Sequence, residues 1–133
     1  MKSPAYNICE ILSSAGLGTL GVDLFYSDLP ATISGTIVGV FDTGGYPPDD
    51  NALLENFNPT IMTRIKGRRD NYQQAYDKAY SIFSTLNGQH NISVTDFRII
   101  LISALSDILW IGYDDDNRPE FTINFLAMRT PLS

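Results

Sequence analysis

Between residues 70 and 87, apolar side chains recur at steps of three and four: Tyr72, Ala75, Tyr76, Ala79, Ile82, Phe83 and Leu86. That period lines them along one side of an α-helix. Asp70, with Gln73 three positions on, has the form of a capping box, and Asn87-Gly88 supplies a stop. A stripe this wide must be buried against something, and the flanking segments follow a different period. Ile61, Thr63 and Ile65 alternate with Thr60, Met62, Arg64 and Lys66, and Phe121, Ile123, Phe125 and Ala127 alternate with Thr122, Asn124, Leu126 and Met128. Two-residue alternation is the pattern of a half-buried strand, so the helix covers a sheet. The regular stripe reads as core rather than as an aromatic cofactor box.

The remaining chain fits this frame. Ser3-Pro4 has the form of an N-cap followed by proline at the first helical position. Ala5, Ile8, Cys9, Leu12 and Ala15 then share a face, and Gly16 ends the helix. Further strands are expected at 22–27, 35–42, 97–105 and 108–113, with Asp114 to Pro119 as the turn before the last strand. The expected order is α-β-β-β-α-β-β-β, an α+β fold with a mainly antiparallel sheet packed by two helices. No internal repeat or low-complexity segment interrupts it.

Composition and charge narrow the function. The chain has 133 residues, 44% hydrophobic and 18% charged, which suits one folded domain. A net charge of −6 argues against a surface that grips nucleic acid or acidic membrane throughout. Residues 1–63 carry one Lys or Arg and seven acids, whereas residues 64–133 carry eight of each. Four of the nine cations, Arg64, Lys66, Arg68 and Arg69, fall within six positions. Cys9 is the single cysteine, so no internal disulfide or CxxC metal pair can form, and a small buried apolar role is expected for it. The N-terminus lacks the apolar core of a signal peptide, and no run approaches a membrane span, so a soluble protein of a reducing interior is expected.

Several motifs invite chemistry. Phe41 to Asn51, FDTGGYPPDDN, places two glycines before a pair of acids, but it lacks the Lys-Ser or Lys-Thr of a P-loop, and Pro47-Pro48 removes two amides a phosphate cradle needs. Gly44-Gly45 is expected to form a turn at a strand end. The long connection from about 43 to 58 carries Leu53, Leu54 and Phe57, which read as an arm docking apolar side chains on a partner. Asp114, Asp115, Asp116 and Glu120 suggest calcium, yet the acids are consecutive and Pro119 stands at the sixth place, where an EF-type loop needs glycine. A solvated turn is the simpler reading. His90, the single histidine, lies in a polar connection without a nucleophile elbow. No carboxylate pair is singled out by its surroundings.

Three segments together resemble the tail terminator proteins of long-tailed bacteriophages, also labelled minor capsid proteins: FDTGGYPP, then PTIMTRIKG leading into YQQAYDKAYSIFSTLNG, then DDDNRPEFTINFLAMR. The resemblance spans roughly residues 35–130. It implies a single tail-terminator-like domain over 1–133, a structural virion protein without enzymatic activity, cofactor or metal. It further implies a homohexameric ring that caps the tail tube at the head-tail junction and offers the head an attachment surface, assembled in the host cytoplasm. Its partners would be other copies of itself, the tail tube protein and a head-completion or neck protein, with DNA passing through the pore as a partner met without sequence specificity. On this view Leu53, Leu54, Phe57, Arg64, Lys66, Arg68 and Arg69 are candidate interface residues. A head-completion or neck adaptor is the near alternative. A small hydrolase using His90 or the acidic turn is the alternative of another class.

Overall fold

The computed structural model describes residues 1–48 and 56–132. Its elements run α1 (Pro4–Ser14), β1 (Leu24–Tyr26), β2 (Ile37–Tyr46), β3 (Asn58–Lys66), α2 (Tyr72–Leu86), β4 (His90–Ser93), β5 (Phe97–Ala104), β6 (Leu109–Tyr113) and β7 (Pro119–Pro131). This is the expected α+β order with one strand more. The addition, β4, lies in the segment read as a polar connection; its side chains are mostly exposed, so no apolar alternation announces it. Among the described residues no helix is long and apolar enough to cross a membrane.

The sheet order is β1-β2-β3-β7-β5-β4, with β6 also paired to β7. Every pair is antiparallel except β1 with β2. β7 is the axis. β3 follows one of its edges from Thr60↔Leu126 to Lys66↔Glu120. The other edge is shared: β5 takes the C-terminal half, from Ala104↔Phe125 to Phe97↔Pro131, and β6 takes the beginning, from Leu109↔Thr122 to Tyr113↔Pro119.

Ile61 and Ile65 of β3 and Phe121, Ile123 and Phe125 of β7 are buried in one core with Ile8, Cys9 and Leu12 of α1 and Ala75, Ala79, Ile82 and Leu86 of α2. Burying each large aliphatic side chain contributes about 1.5–3 kcal/mol. Ser3 caps α1 as expected, its Oγ accepting from the Tyr6 amide at 3.2 Å. Ala15 departs from the expected buried face because it is the exposed C-cap of that helix.

The start of α2 also differs by one residue. Asn71 is the N-cap, its Oδ1 accepting from the Gln74 amide at 3.2 Å, while Asp70 sits at φ +57° in the turn that brings the chain from β3. The buried stripe of the helix is narrower than its apolar stripe. Tyr72 and Tyr76 lie half-exposed at the rim and meet Phe121 edge-on at 5.2 and 5.7 Å. Gly67 allows this close assembly: a Cβ there would stand 2.6 Å from the Ala75 Cβ and 2.9 Å from Pro119.

FDTGGY corrects the expected turn. β2 continues through Tyr46, and its register with β3 shifts between Asp42 and Gly45. Gly44 and Gly45 have φ +96° and +144°, and a Cβ on Gly45 would lie 2.5 Å from the Asn58 carbonyl oxygen. The two glycines therefore make a bulge within a β-ribbon, Gly44 serving its positive φ and Gly45 also a backbone approach too close for a side chain.

Candidate subunit and partner interfaces

The four clustered cations do not act as one patch. Arg64 and Lys66 project from the face of β3 opposite Ile61 and Ile65, and register sets them against Thr122 and Glu120 of β7. Glu120, itself buried, accepts from Arg64 Nη2 at 3.2 Å and lies 3.9 Å from Lys66 Nζ, which also contacts Asp114 Oδ2 at 2.9 Å. Arg64, Glu120, Lys66 and Asp114 thus alternate in sign across the β3–β7 ladder. The Lys66 side chain is 13% exposed, so its charge is largely spent inside the subunit. Arg64 remains half-exposed.

Arg68 and Arg69 are different. Both are exposed in the turn before α2. Arg69 meets Asp70 only at 3.8 Å, with both side chains more than two-thirds exposed, a pair of little energetic weight. Arg68 makes no ion pair among the described residues; it lines an open groove of about 550 Å³ with Leu17, Asp23, Asp77 and Lys78. Arg69 borders a separate depression of about 230 Å³ with Ala31, Thr32 and Asp116. The six-residue cluster is therefore divided into an internal pair and an outward pair.

Of the three apolar residues expected in the arm, Phe57 exchanges two backbone hydrogen bonds with Arg129, at 2.8 and 2.9 Å, and its side chain is partly exposed. Leu53 and Leu54 lie outside the described residues.

The acidic turn is built by Asp114. Its Oδ1 accepts from the amides of Asp116 and Arg118, both at 2.9 Å, while Oδ2 faces Lys66. Desolvation pushes its pKa up, but the Lys66 hydrogen bond and the two amides outweigh that and hold the carboxyl below its ordinary value. Asp115 and Asp116 are exposed. His90 is exposed as well, its Nδ1 3.3 Å from the Gly88 carbonyl oxygen. Cys9 is buried with Sγ 3.6 Å from the Phe25 carbonyl oxygen, and desolvation followed by the charge of Asp42 pushes its thiol up to about 12. A thiol so placed stays protonated and packs as a small apolar group.

Two features were not singled out from the sequence. Arg118, within the acidic turn, is buried and donates to three backbone carbonyls: Gly67 from Nε at 2.8 Å, Ile33 from Nη1 at 2.5 Å and Gly35 from Nη2 at 2.7 Å. It fastens the segment before β2 and the end of β3 to the start of β7. The second is β6. Leu109, Trp110, Ile111 and Tyr113 are 42%, 45%, 51% and 54% exposed, although they form a strand of the sheet. Trp110 packs against Tyr72, Phe121 and Tyr113 at 5.0–5.1 Å. β6 pairs with β7 on one edge, and its other edge has no strand beside it among the described residues. An apolar strand at an open sheet edge is a surface that natural folds normally blunt or cover.

No curated protein matches this sequence. Among solved structures, a chain from a virion of a native gene transfer agent particle is similar at a TM-score of 0.70 and 13% identity, over 96% of this chain and 95% of that one. That likeness concerns the fold. A sequence model of the bacteriophage tail terminator protein matches residues 11–130, which takes in the end of α1, all of α2, β1 to β6, the acidic turn and β7 up to Thr130. The chain belongs to the bacteriophage tail terminator family.

Proposed function

We propose that this structural virion tail protein closes into a ring, of six subunits, that caps the end of the tail tube, stops its growth and presents the surface to which the head attaches. The observation that carries this reading is the family match over residues 11–130. The open, apolar edge of β6 supports it, since a chain working alone has no use for such an edge. The ring sits at the head-tail junction, is assembled in the host cytoplasm, and has the tail tube protein and a head-completion or neck protein as partners. Its work is mechanical: it positions other proteins and transforms no substrate.

Within this reading Arg68 and Arg69 are the cations available to a partner, because Arg64 and Lys66 already face acids of their own subunit. They meet acids of a neighbouring subunit or of the tube or head protein. Phosphates of DNA in the pore are the competing target, and a protein target is preferred because a pore that gripped DNA would slow its exit. Phe57, with its partly exposed side chain, is a candidate contact with the next subunit.

The test is to add the purified protein, in parallel, to polymerising tail tube protein and to DNA-filled heads, and to image the products by negative stain. Tubes that stop growing and carry one ring-shaped cap at an end are expected. Tubes that elongate unchanged and uncapped would reject the terminator role, and rings found on heads rather than on tubes would favour a neck adaptor.

A further inference from the structure

The sheet carries an apolar ridge at one edge and an apolar depression at the other. The ridge is β6, with Leu109, Ile111 and Tyr113 exposed beside the Trp110 cluster. The depression, of about 310 Å³, is lined by Leu20, Gly21, Phe25, Tyr26 and Asp28 at the β1 end. Leu20, 37% exposed, is part of its wall. β1 is the first strand of the sheet and β6 pairs on the far edge of β7, so β2, β3 and β7 lie between the two surfaces.

Charge decides what can cover β6. Antiparallel pairing of one β6 with another about Ile111 would set Asp107 of each copy against Asp115 of the other, and like charges placed opposite one another destabilise a ladder. A two-fold contact of β6 with itself is thereby disfavoured. The β1 edge cannot accept an added strand either, because Leu24 already exchanges backbone hydrogen bonds with the 19–21 turn, Leu24 N to Thr19 O at 3.3 Å and Gly21 N to Leu24 O at 2.8 Å. What it offers is a place for side chains.

We infer that the β6 ridge of one subunit, centred on Ile111, seats in the Leu20–Phe25–Tyr26 depression of the next copy. This inference rests on the ring reading and specifies its junction. Each subunit uses ridge and depression once, so the contact is head-to-tail, and it closes into a ring when the rotation between neighbours fits the subunit number. The apolar side chains of both surfaces then leave water together, which accounts for an edge strand that has no gatekeeper charge along its length.

The test uses two full-length variants, Ile111→Glu and Leu20→Glu, each at an exposed position and each checked for a melting temperature close to that of the wild type. Sedimentation of wild type should show rings, and either variant alone should show monomers. Mixed one to one, the variants retain a single sound junction, the Leu20→Glu ridge against the Ile111→Glu depression, so heterodimers and nothing larger are expected. Rings formed by either variant alone overturn the junction and leave the ring reading standing. A mixture that stays monomeric while the wild type forms rings overturns the head-to-tail contact. A wild type that stays monomeric at millimolar concentration overturns junction and ring together.

Discussion

β3 and β6 flank the same stretch of β7, one on each edge, and they are built for opposite ends. Ile65 of β3 pairs with Phe121 and is fully buried beneath the helices. Trp110 of β6 pairs with the same Phe121 and is 45% exposed, in a strand that leaves its apolar residues open to solvent. β3 is further tied to β7 by the Arg64–Glu120–Lys66–Asp114 alternation, whereas β6 makes no ion pair. The β3 side holds the subunit together, and on the proposed reading the open β6 side is the one that assembly uses.

That contrast can be broken in graded steps. Truncating Phe125→Ala, at the buried centre of β7, should cost about 3–5 kcal/mol in chemical denaturation. A loss below about 1 kcal/mol would mean that the core is centred elsewhere. Arg118→Met removes a buried guanidinium and leaves three carbonyls without their donor, an expected loss of about 3 kcal/mol, measured in the same way. The segment around Ile33 and Gly35 should then exchange its amide hydrogens faster, while β6 does not change.

A smaller effect concerns acid. Asp114 has a depressed folded pKa, so it contributes stability at pH above its unfolded value, near 4, and that contribution is lost as pH falls through the lower folded value. Asp114→Asn should therefore be less stable than wild type at pH 7 and should converge with it in strong acid. Parallel stability curves from pH 7 to pH 2 would show that the Lys66 contact contributes nothing.

The smallest effects on stability are expected at the open side. Ile111→Ser, and Arg68→Glu with Arg69→Glu, should each change folding free energy by less than about 0.5 kcal/mol. Both should nonetheless weaken assembly, and added salt should weaken assembly of the wild type through the arginines. If the arginine variant assembles normally but loses affinity for duplex DNA, the cations face the pore instead.

Elements with one clear period were legible in the sequence. The alternation of Ile61 to Ile65 and of Phe121 to Ala127, and the Ala75–Ala79–Ile82–Leu86 stripe, are local patterns set by burial on one face. β4 escaped because its residues are polar and its pairing with β5 is set by position in the fold. Gly44-Gly45 looks like a turn because glycine signals positive φ, and the sequence does not say whether a turn or a bulge uses it. The cation cluster was visible as a cluster, but its division was not: Glu120 and Asp114 lie about fifty residues away along the chain. Arg118 was hidden for the same reason, its three acceptors coming from remote loops. The apolar run of β6 was read as an ordinary strand, because exposure cannot be told from burial when both faces are apolar.

The most direct test of the central claim is the mass of the intact assembly, measured by native mass spectrometry on the purified protein from micromolar to millimolar concentration. A single closed species of six chains is expected, in equilibrium with monomer and without an open-ended series. A protein that remains one chain throughout that range, or that grows into an unlimited ladder of masses, would contradict a subunit whose two sheet edges are made to close a ring.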